Sequence, residues 1–391
     1  MKWCSLILFV LVTSVSAQTS PKWLEMFREL DADGDGALST AETRKKPGWR
    51  KADLNNDGSI TFMEAQTFLK RNATPRVPKI SADAVFANSE HFLTVDGRER
   101  SYVLQLPKRE FEKKVPLVVF FHGGGGSAQR LAVPGMGPLM GGDDFIAVYP
   151  NAWKGNWNDG RSARNIVSQV EGVDDVKFVR QIVEKVSELY AVDRSRVFAA
   201  GISNGAIFSH RLAVEASDVF AGIAPVIGGL AEPLAKDFKP VYPVSLFVIQ
   251  GDQDTFVPID GGAILGRDRR GRVIATEEML GLYLLHNKIS AKPTKSLLPD
   301  LDPEDGTRTE CRLYPAGDDC VLVQYYLIRN GGHRMPGIAQ VAEREAITGK
   351  VSLDFSGYEE IWKFFKKCPP RIIYSCTQNR DTKEERNLSE N

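Results

Sequence analysis

The body of the chain is predicted to be α/β, with a mostly parallel sheet covered by helices on both faces and a small all-α module ahead of it. Three observations predict this. Short, unbroken apolar runs such as residues 115–121 and 244–249 read as strands buried on both sides. Amphipathic stretches such as 174–189 and 355–367 alternate with them. Glycine-rich or acidic turns follow several of the runs, where the ends of parallel strands open onto a shared crevice.

The chain has 391 residues, enough for a sizeable core and an extra module. With 50 basic and 50 acidic residues the net charge is zero, which argues against a general nucleic-acid or anionic-membrane binder. Residues 1–17 read as a cleavable signal peptide. Lys2 supplies the positive end, 6–12 the apolar core, and Val15-Ser16-Ala17 the small-residue cleavage site. The predicted location is therefore secreted or periplasmic. Without Cys4, four cysteines remain, an even number that suggests two disulfides in an exported chain. The favoured pairs are Cys311–Cys320 across a hairpin and Cys368–Cys376 across a Pro-Pro turn.

Residues 18–71 form the predicted all-α module. Asp31, Asp33, Asp35, Ala37, Ser39 and Glu42 occupy positions one, three, five, seven, nine and twelve of an EF-hand loop, with Gly36 at six and Leu38 at eight. Ala37 would ligate through its carbonyl. A second copy starts 22 residues later, with Asp53, Asn55, Asp57, Ser59, Thr61 and Glu64 in the ligand positions. Ca²⁺ is a hard cation that gathers many oxygens, and the glycine permits the bend that collects them. Pro47 stops the helix between the loops. Residues 72–90 are proline-rich without periodicity and read as a linker.

The remainder, 91–368, carries the chemistry. Residues 92–106 read as a hairpin turning at Asp96-Gly97, and strands are predicted at 115–121, 145–149, 197–200, 244–249 and 320–328. Helices are predicted at 174–189, at 276–290 and at 355–367; residues 369–391 read as a C-terminal tail, polar from 377. The apolar run 197–200 is followed by Gly201-Ile-Ser203-Asn-Gly205 and then by an amphipathic helix. G-x-S-x-G between strand and helix is the nucleophile elbow of α/β-hydrolases. It would expose Ser203 and aim the Asn204 N–H at the position of a developing oxyanion. A serine hydroxyl needs a base, and the base needs an orienting acid, in the chain order Ser, Asp, His. Asp254 follows a strand and is the predicted acid, with Asp252 as its rival. His333, in a glycine-rich loop after the last strand, is the predicted base, whereas His286 lies inside a helix. The loop His122-Gly-Gly-Gly-Gly126 would supply the second oxyanion donor from Gly124 or Gly125.

From about His91 to Lys367 the chain resembles the polyhydroxybutyrate depolymerase and feruloyl esterase branch of the α/β-hydrolases. The matching residues are 95–102, 122–127, 173–178, 201–205, 251–258 and 331–337. The resemblance implies a secreted serine esterase, without an organic cofactor, acting on polysaccharide-linked feruloyl or acetyl esters or on polyesters. It gives Ser203, Asp254 and His333 the roles reached above. Met335 stands where that family often has Trp, and no cysteine-containing segment follows Trp157-Asn158. Trp153, Trp157 and Met335 are the candidate walls of the substrate pocket. The rival reading, a calcium-binding adhesion or scaffold protein with an inert hydrolase domain, is opposed by the intact catalytic motifs.

Overall fold

A computed structural model describes residues 27, 29–33, 35, 37–53, 57–61, 64–65, 85–317 and 320–371. The predicted signal peptide, Asn55, Cys376 and the polar tail from 372 lie outside the described residues. The chain forms two compact units, residues 1–76 and 77–391.

In the first unit, β1 (Ala37–Ser39) and β2 (Ser59–Thr61) pair antiparallel, with Leu38 opposite Ile60. These are the eighth positions of the two predicted loops, so the loops lie side by side. Leu38, Ile60, Phe27, Trp49, Ala52 and Ala65 make a small core. Between the loops the chain takes two short 3₁₀ turns, Glu42–Lys45 and Pro47–Ala52, the second opening at the proline.

The second unit is built on a ten-stranded sheet. The hairpin of β3 (Phe86–Val95) and β4 (Arg98–Pro107) forms one edge, joined by Asp96 and Gly97, both at positive φ as a tight two-residue turn requires. β3 begins inside the stretch predicted to be linker, because residues 86–90 pair with β4. Six parallel strands follow in the order β6, β5, β7, β8, β9, β14. They are β5 (Val115–Phe121), β6 (Ile146–Pro150), β7 (Val192–Ile202), β8 (Gly222–Val226), β9 (Ser245–Gly251) and β14 (Val323–Arg329). β6, β8 and β9 are buried throughout; β6 and β9 match predicted apolar runs, whereas β8 was not among the predicted strands. A small hairpin of β10 (Gly262–Ala263) and β11 (Arg272–Val273) leaves the segment after β9. β12 (Thr294–Leu297) and β13 (Arg308–Tyr314) add an antiparallel second edge.

Four helices matter for the site: α1 (Asp175–Leu189), α2 (Asn204–Glu215), α3 (Thr276–His286) and α4 (Gly357–Lys367). Asp174 caps α1 by accepting from the Lys177 N–H, and Ser356 caps α4 by accepting from Glu359. α4 lays Ile361, Trp362, Phe364 and Phe365 against one face of the sheet, where Phe365 stacks on Phe198. Each such side chain contributes about 1.5–3 kcal/mol of burial. α1 covers the other face with Phe178, Val179, Ile182 and Val186.

The expected Cys311–Cys320 disulfide is absent. In the β13–β14 register Cys311 stands opposite Tyr326 and points into the core, whereas Cys320 lies exposed in the loop before β14. Cys368 is a buried free thiol on the core side of the α4 terminus.

Candidate active site

β7 and α2 are separated by a single residue, Ser203, at φ 56° and ψ −120°. That conformation is strained for a residue with a Cβ and is held by its surroundings. The two flanking glycines are there for space. A Cβ on Gly201 would come within 2.3 Å of the Gly205 carbonyl oxygen, and one on Gly205 within 2.4 Å of the Phe121 carbonyl oxygen. No larger residue lets strand, helix and the end of β5 approach this closely.

His333 Nε2 lies 2.8 Å from Ser203 Oγ, and His333 Nδ1 lies 2.8 Å from Asp254 Oδ2. A carboxylate only accepts, so Nδ1 carries the proton and the Nε2 lone pair faces the serine hydroxyl. Asp254 is buried and fixed by the N–H groups of Phe256 and Val257, which donate to Oδ1 at 2.8 and 2.9 Å. The Phe256 ring stacks on His333 at 4.7 Å. The rival acid, Asp252, is turned to the other side, where it accepts from the Asn330 N–H at 2.7 Å and braces the loop after β14. His286 is half-buried on α3 and takes no part, and His210 is buried against the Tyr283 hydroxyl at 3.0 Å.

The glycine loop after β5 passes beside the elbow. A Cβ built on Gly123 would lie 3.4 Å from Ser203 Cβ. His122 holds this loop: Nδ1 donates to the Gly123 carbonyl at 2.8 Å and Nε2 accepts from the Ala152 N–H at 3.1 Å. Burial pushes its pKa down to about 4, so the imidazole stays neutral and can accept from Ala152. Of the two predicted oxyanion donors on the loop, Gly125 is excluded, because its N–H donates to the Gly155 carbonyl at 2.8 Å. That leaves Gly124, whose Cα sits between the side chains of Asn156 and Asn204.

Asn204 is held by a network that sequence reasoning missed. Its Oδ1 accepts from the Trp157 N–H at 2.8 Å, and its Nδ2 donates to Asp159 Oδ2 at 2.6 Å. Asp159 is fully buried and also accepts from Gln169 Nε2 at 2.8 Å and faces Arg161 at 3.3 Å. Burial pushes its carboxyl above the usual range, against the pull of Arg161. A second buried pair, Arg100–Asp175 at 2.6 Å, supports the same segment, since Asp175 accepts from the Asn158 N–H at 2.7 Å and Arg100 donates to the Asn151 carbonyl. Arg100 and Asp175 lie in segments that carry the family resemblance, whereas for Asp159 and Arg161 the only sequence signal was their charge next to Trp157-Asn158.

The predicted pocket walls need correction. Trp157 is fully buried, stacked on Phe208 with ring centroids 5.0 Å apart, and its Nε1 donates to the His122 carbonyl at 2.9 Å. It supports the glycine loop from behind. Met335 is buried in the core against Gly357. Trp153 is half-exposed, but its Nε1 donates to Glu171 at 3.0 Å beside Arg98.

In the first unit, the ligand atoms of Asp31, Asp33 and Asp35 lie within 4.8 Å of one another. Glu42 folds back over that loop, accepting from the Ala32 N–H at 2.8 Å and from the Ser39 hydroxyl at 2.6 Å. Those bonds hold the Glu42 carboxyl down at about 2. The second loop repeats the pattern, with Thr61 donating to Glu64 through N–H and hydroxyl at 3.0 and 2.8 Å. At its sixth position Gly58 takes φ 88°.

Residues 100–232 match the family model described as Esterase PHB depolymerase, and residues 25–45 and 50–69 each match an EF-hand model. The mostly parallel sheet of the second unit and the first of these matches agree in pointing to an esterase-type α/β domain. Among curated relatives, NocK of Nocardia uniformis subsp. tsuyamanensis, named as an esterase, is 26% identical over 305 residues, covering 72% of this chain and 86% of the relative. Poly(3-hydroxyalkanoate) depolymerase C of Paucimonas lemoignei is 28% identical over 162 residues, 40% of this chain and 38% of the relative. Feruloyl esterase B of Piromyces equi is 27% identical over 154 residues, 39% and 28%. The chain thus spans well under half of the latter two proteins.

Proposed function

We propose that the protein is an exported serine carboxylic-ester hydrolase working through an acyl-enzyme on feruloyl or acetyl esters of polysaccharides or on polyhydroxyalkanoate-type polyesters. Ser203 Oγ attacks the ester carbonyl carbon while its proton passes to His333 Nε2. The carbonyl oxygen becomes an oxyanion beside the N–H groups of Gly124 and Asn204, where preorganised donors are most effective. The ester C–O bond then breaks, the alcohol leaves with the proton from His333, and the acyl group stays on Ser203. Water gives a proton to His333 and adds to the acyl carbon; collapse releases the carboxylic acid and returns the proton to Ser203. Asp254 keeps the imidazole in the required tautomer throughout.

The observation that carries this reading is the unbroken relay Asp254–His333–Ser203 at 2.8 and 2.8 Å, ending on a serine in a strained conformation. The deciding experiment is hydrolysis of p-nitrophenyl acetate with Ser203→Ala as control, together with labelling by a fluorophosphonate probe. Turnover and labelling that survive the substitution would refute it. Calcium is proposed for both loops of the first unit. The residues present fit it in the first loop, where three carboxylates converge and a glutamate closes the loop, and the second loop repeats that closure with Thr61 and Glu64; Ca²⁺ takes oxygen ligands in flexible geometry. Export rests on the sequence of residues 1–17. Among the described residues, no helix is long and apolar enough to cross a membrane.

A further inference from the structure

The segment between β10 and β11 carries Arg267, Arg269 and Arg270 in four residues. It is tied by backbone hydrogen bonds to two segments that contact the catalytic residues or their supports. On one side the Leu265 N–H donates to the carbonyl of Phe256, the residue stacked on His333, at 2.8 Å. On the other, the Arg164 N–H donates to the Arg269 carbonyl at 2.8 Å, joining it to the segment that carries Asp159 and Arg161. Arg161 is two contacts from Asn204: Asn204 Nδ2 to Asp159 at 2.6 Å, and Asp159 to Arg161 at 3.3 Å.

The positive charge here exceeds what the chain neutralises. Asp268 and Glu232 are committed to Arg272 at 2.9 and 3.1 Å, and Asp159 is shared between Arg161 and Asn204. Among the described residues, no carboxylate pairs with Arg267, Arg269 or Arg270. Burial, and then repulsion from Arg161, Arg267 and Arg269, pushes the Arg270 guanidinium below its usual range. Arg161 is 5% exposed, yet its Nε has no hydrogen-bond partner, and neither does the buried Nε of Arg270. Gathering like charges and burying donors without acceptors is unfavourable by itself. An anion would relieve both terms, and guanidinium forks suit planar or tetrahedral oxyanions.

From this cluster, tied by backbone hydrogen bonds to segments that also brace the catalytic residues, we infer that the preferred ester substrate carries a negative group, a carboxylate or a sulfate, on the chain next to the scissile ester. The inference rests on the esterase reading above and narrows its substrate class to esters of acidic polymers. The ester bond itself is cleaved as already described; the anion is bound and unchanged.

The test compares kcat/KM on acetylated polygalacturonate, acetylated xylan and p-nitrophenyl acetate, for the wild type and for Arg267→Gln/Arg269→Gln, two exposed positions. The wild type is expected to favour the acidic polymer, and its advantage to shrink as salt rises from about 20 to about 500 mM. The double variant is expected to lose about tenfold more on the acidic polymer than on p-nitrophenyl acetate. Competition by polygalacturonate and by dextran sulfate, with neutral dextran as control, shows whether carboxylate or sulfate is taken. Equal losses on all three substrates, an advantage indifferent to salt, or no stronger competition by either polyanion than by dextran would each overturn the inference. Absence of p-nitrophenyl acetate hydrolysis by the wild type would instead remove the esterase reading itself.

Discussion

Replacing Asp159 by asparagine tests how the oxyanion side of the site is held. Asp159 has no exposed surface, and its carboxylate receives Asn204 Nδ2 at 2.6 Å, Gln169 Nε2 at 2.8 Å and the Arg161 N–H at 3.2 Å. Asparagine keeps one acceptor oxygen but turns the other position into a donor facing the Asn204 amide, itself a donor. Losing that charge-assisted bond costs about 1.5–3 kcal/mol. Leaving the buried Arg161 without its counter-charge costs about 3–5 kcal/mol. The two losses share one cause and do not add, so urea unfolding should report about 3–5 kcal/mol in all. Removing an oxyanion donor outright costs about 10²–10³ in kcat, so displacing the Asn204 N–H should lower kcat by about tenfold with KM little changed. Asp159→Leu/Arg161→Met removes both charges together and should regain much of the stability while kcat stays low. A single variant within about 1 kcal/mol and about twofold of wild type would refute the positioning role.

Asp254→Asn is expected to lower kcat on p-nitrophenyl acetate by about 10³–10⁴-fold with unfolding stability nearly kept, because the amide forces the wrong His333 tautomer; a loss of less than tenfold would contradict the relay. His122 ties stability to pH. Its folded pKa of about 4 lies below the usual 6.5, so between those values the unfolded chain takes up a proton that the folded chain refuses. Stability should therefore fall as pH drops through that window, by about 3 kcal/mol from this group. Denaturant unfolding of wild type and His122→Asn at a series of pH values checks it: the variant's slope should be smaller by about one proton. Excess EDTA should lower the melting temperature of the first unit by about 10 °C, as loss of a ligand bound well above its Kd requires. An unmoved calorimetric transition would remove calcium from the account.

Much of this site could be read from the sequence because its logic is local. Ser203 sits in a strand–turn–helix pattern, and Asp254 and His333 each follow an apolar run, so chain order and strand ends are enough to bring them together. The buried strands β5 and β9 were equally plain, since 117–121 and 246–249 are uninterrupted apolar runs, whereas β8 was missed. What stayed hidden depends on contacts between distant segments. Nothing in the spacing of Asp159 and Asn204, 45 residues apart, announces their hydrogen bond. Trp157 and Met335 were read as pocket walls because a large apolar side chain next to a motif suits a wall and a core equally well, and only packing against Phe208 and Gly357 decides. Gly125 differed from Gly124 only through the carbonyl of Gly155. The cysteine pairing failed for a similar reason, since the strand register sets Cys311 across from Tyr326.

The Asn204 side chain grips Trp157 at both ends of one residue, taking its N–H at 2.8 Å and giving to its carbonyl at 3.3 Å. The loop over residues 157–159 is therefore registered against the nucleophile to within one residue. Any lengthening before Asp159 would drag the elbow with it, while insertions after Arg164 leave that clasp alone. Relatives or engineered variants that remodel the crevice should accordingly vary in length only downstream of this point, and a grafted specificity loop has its natural splice site there.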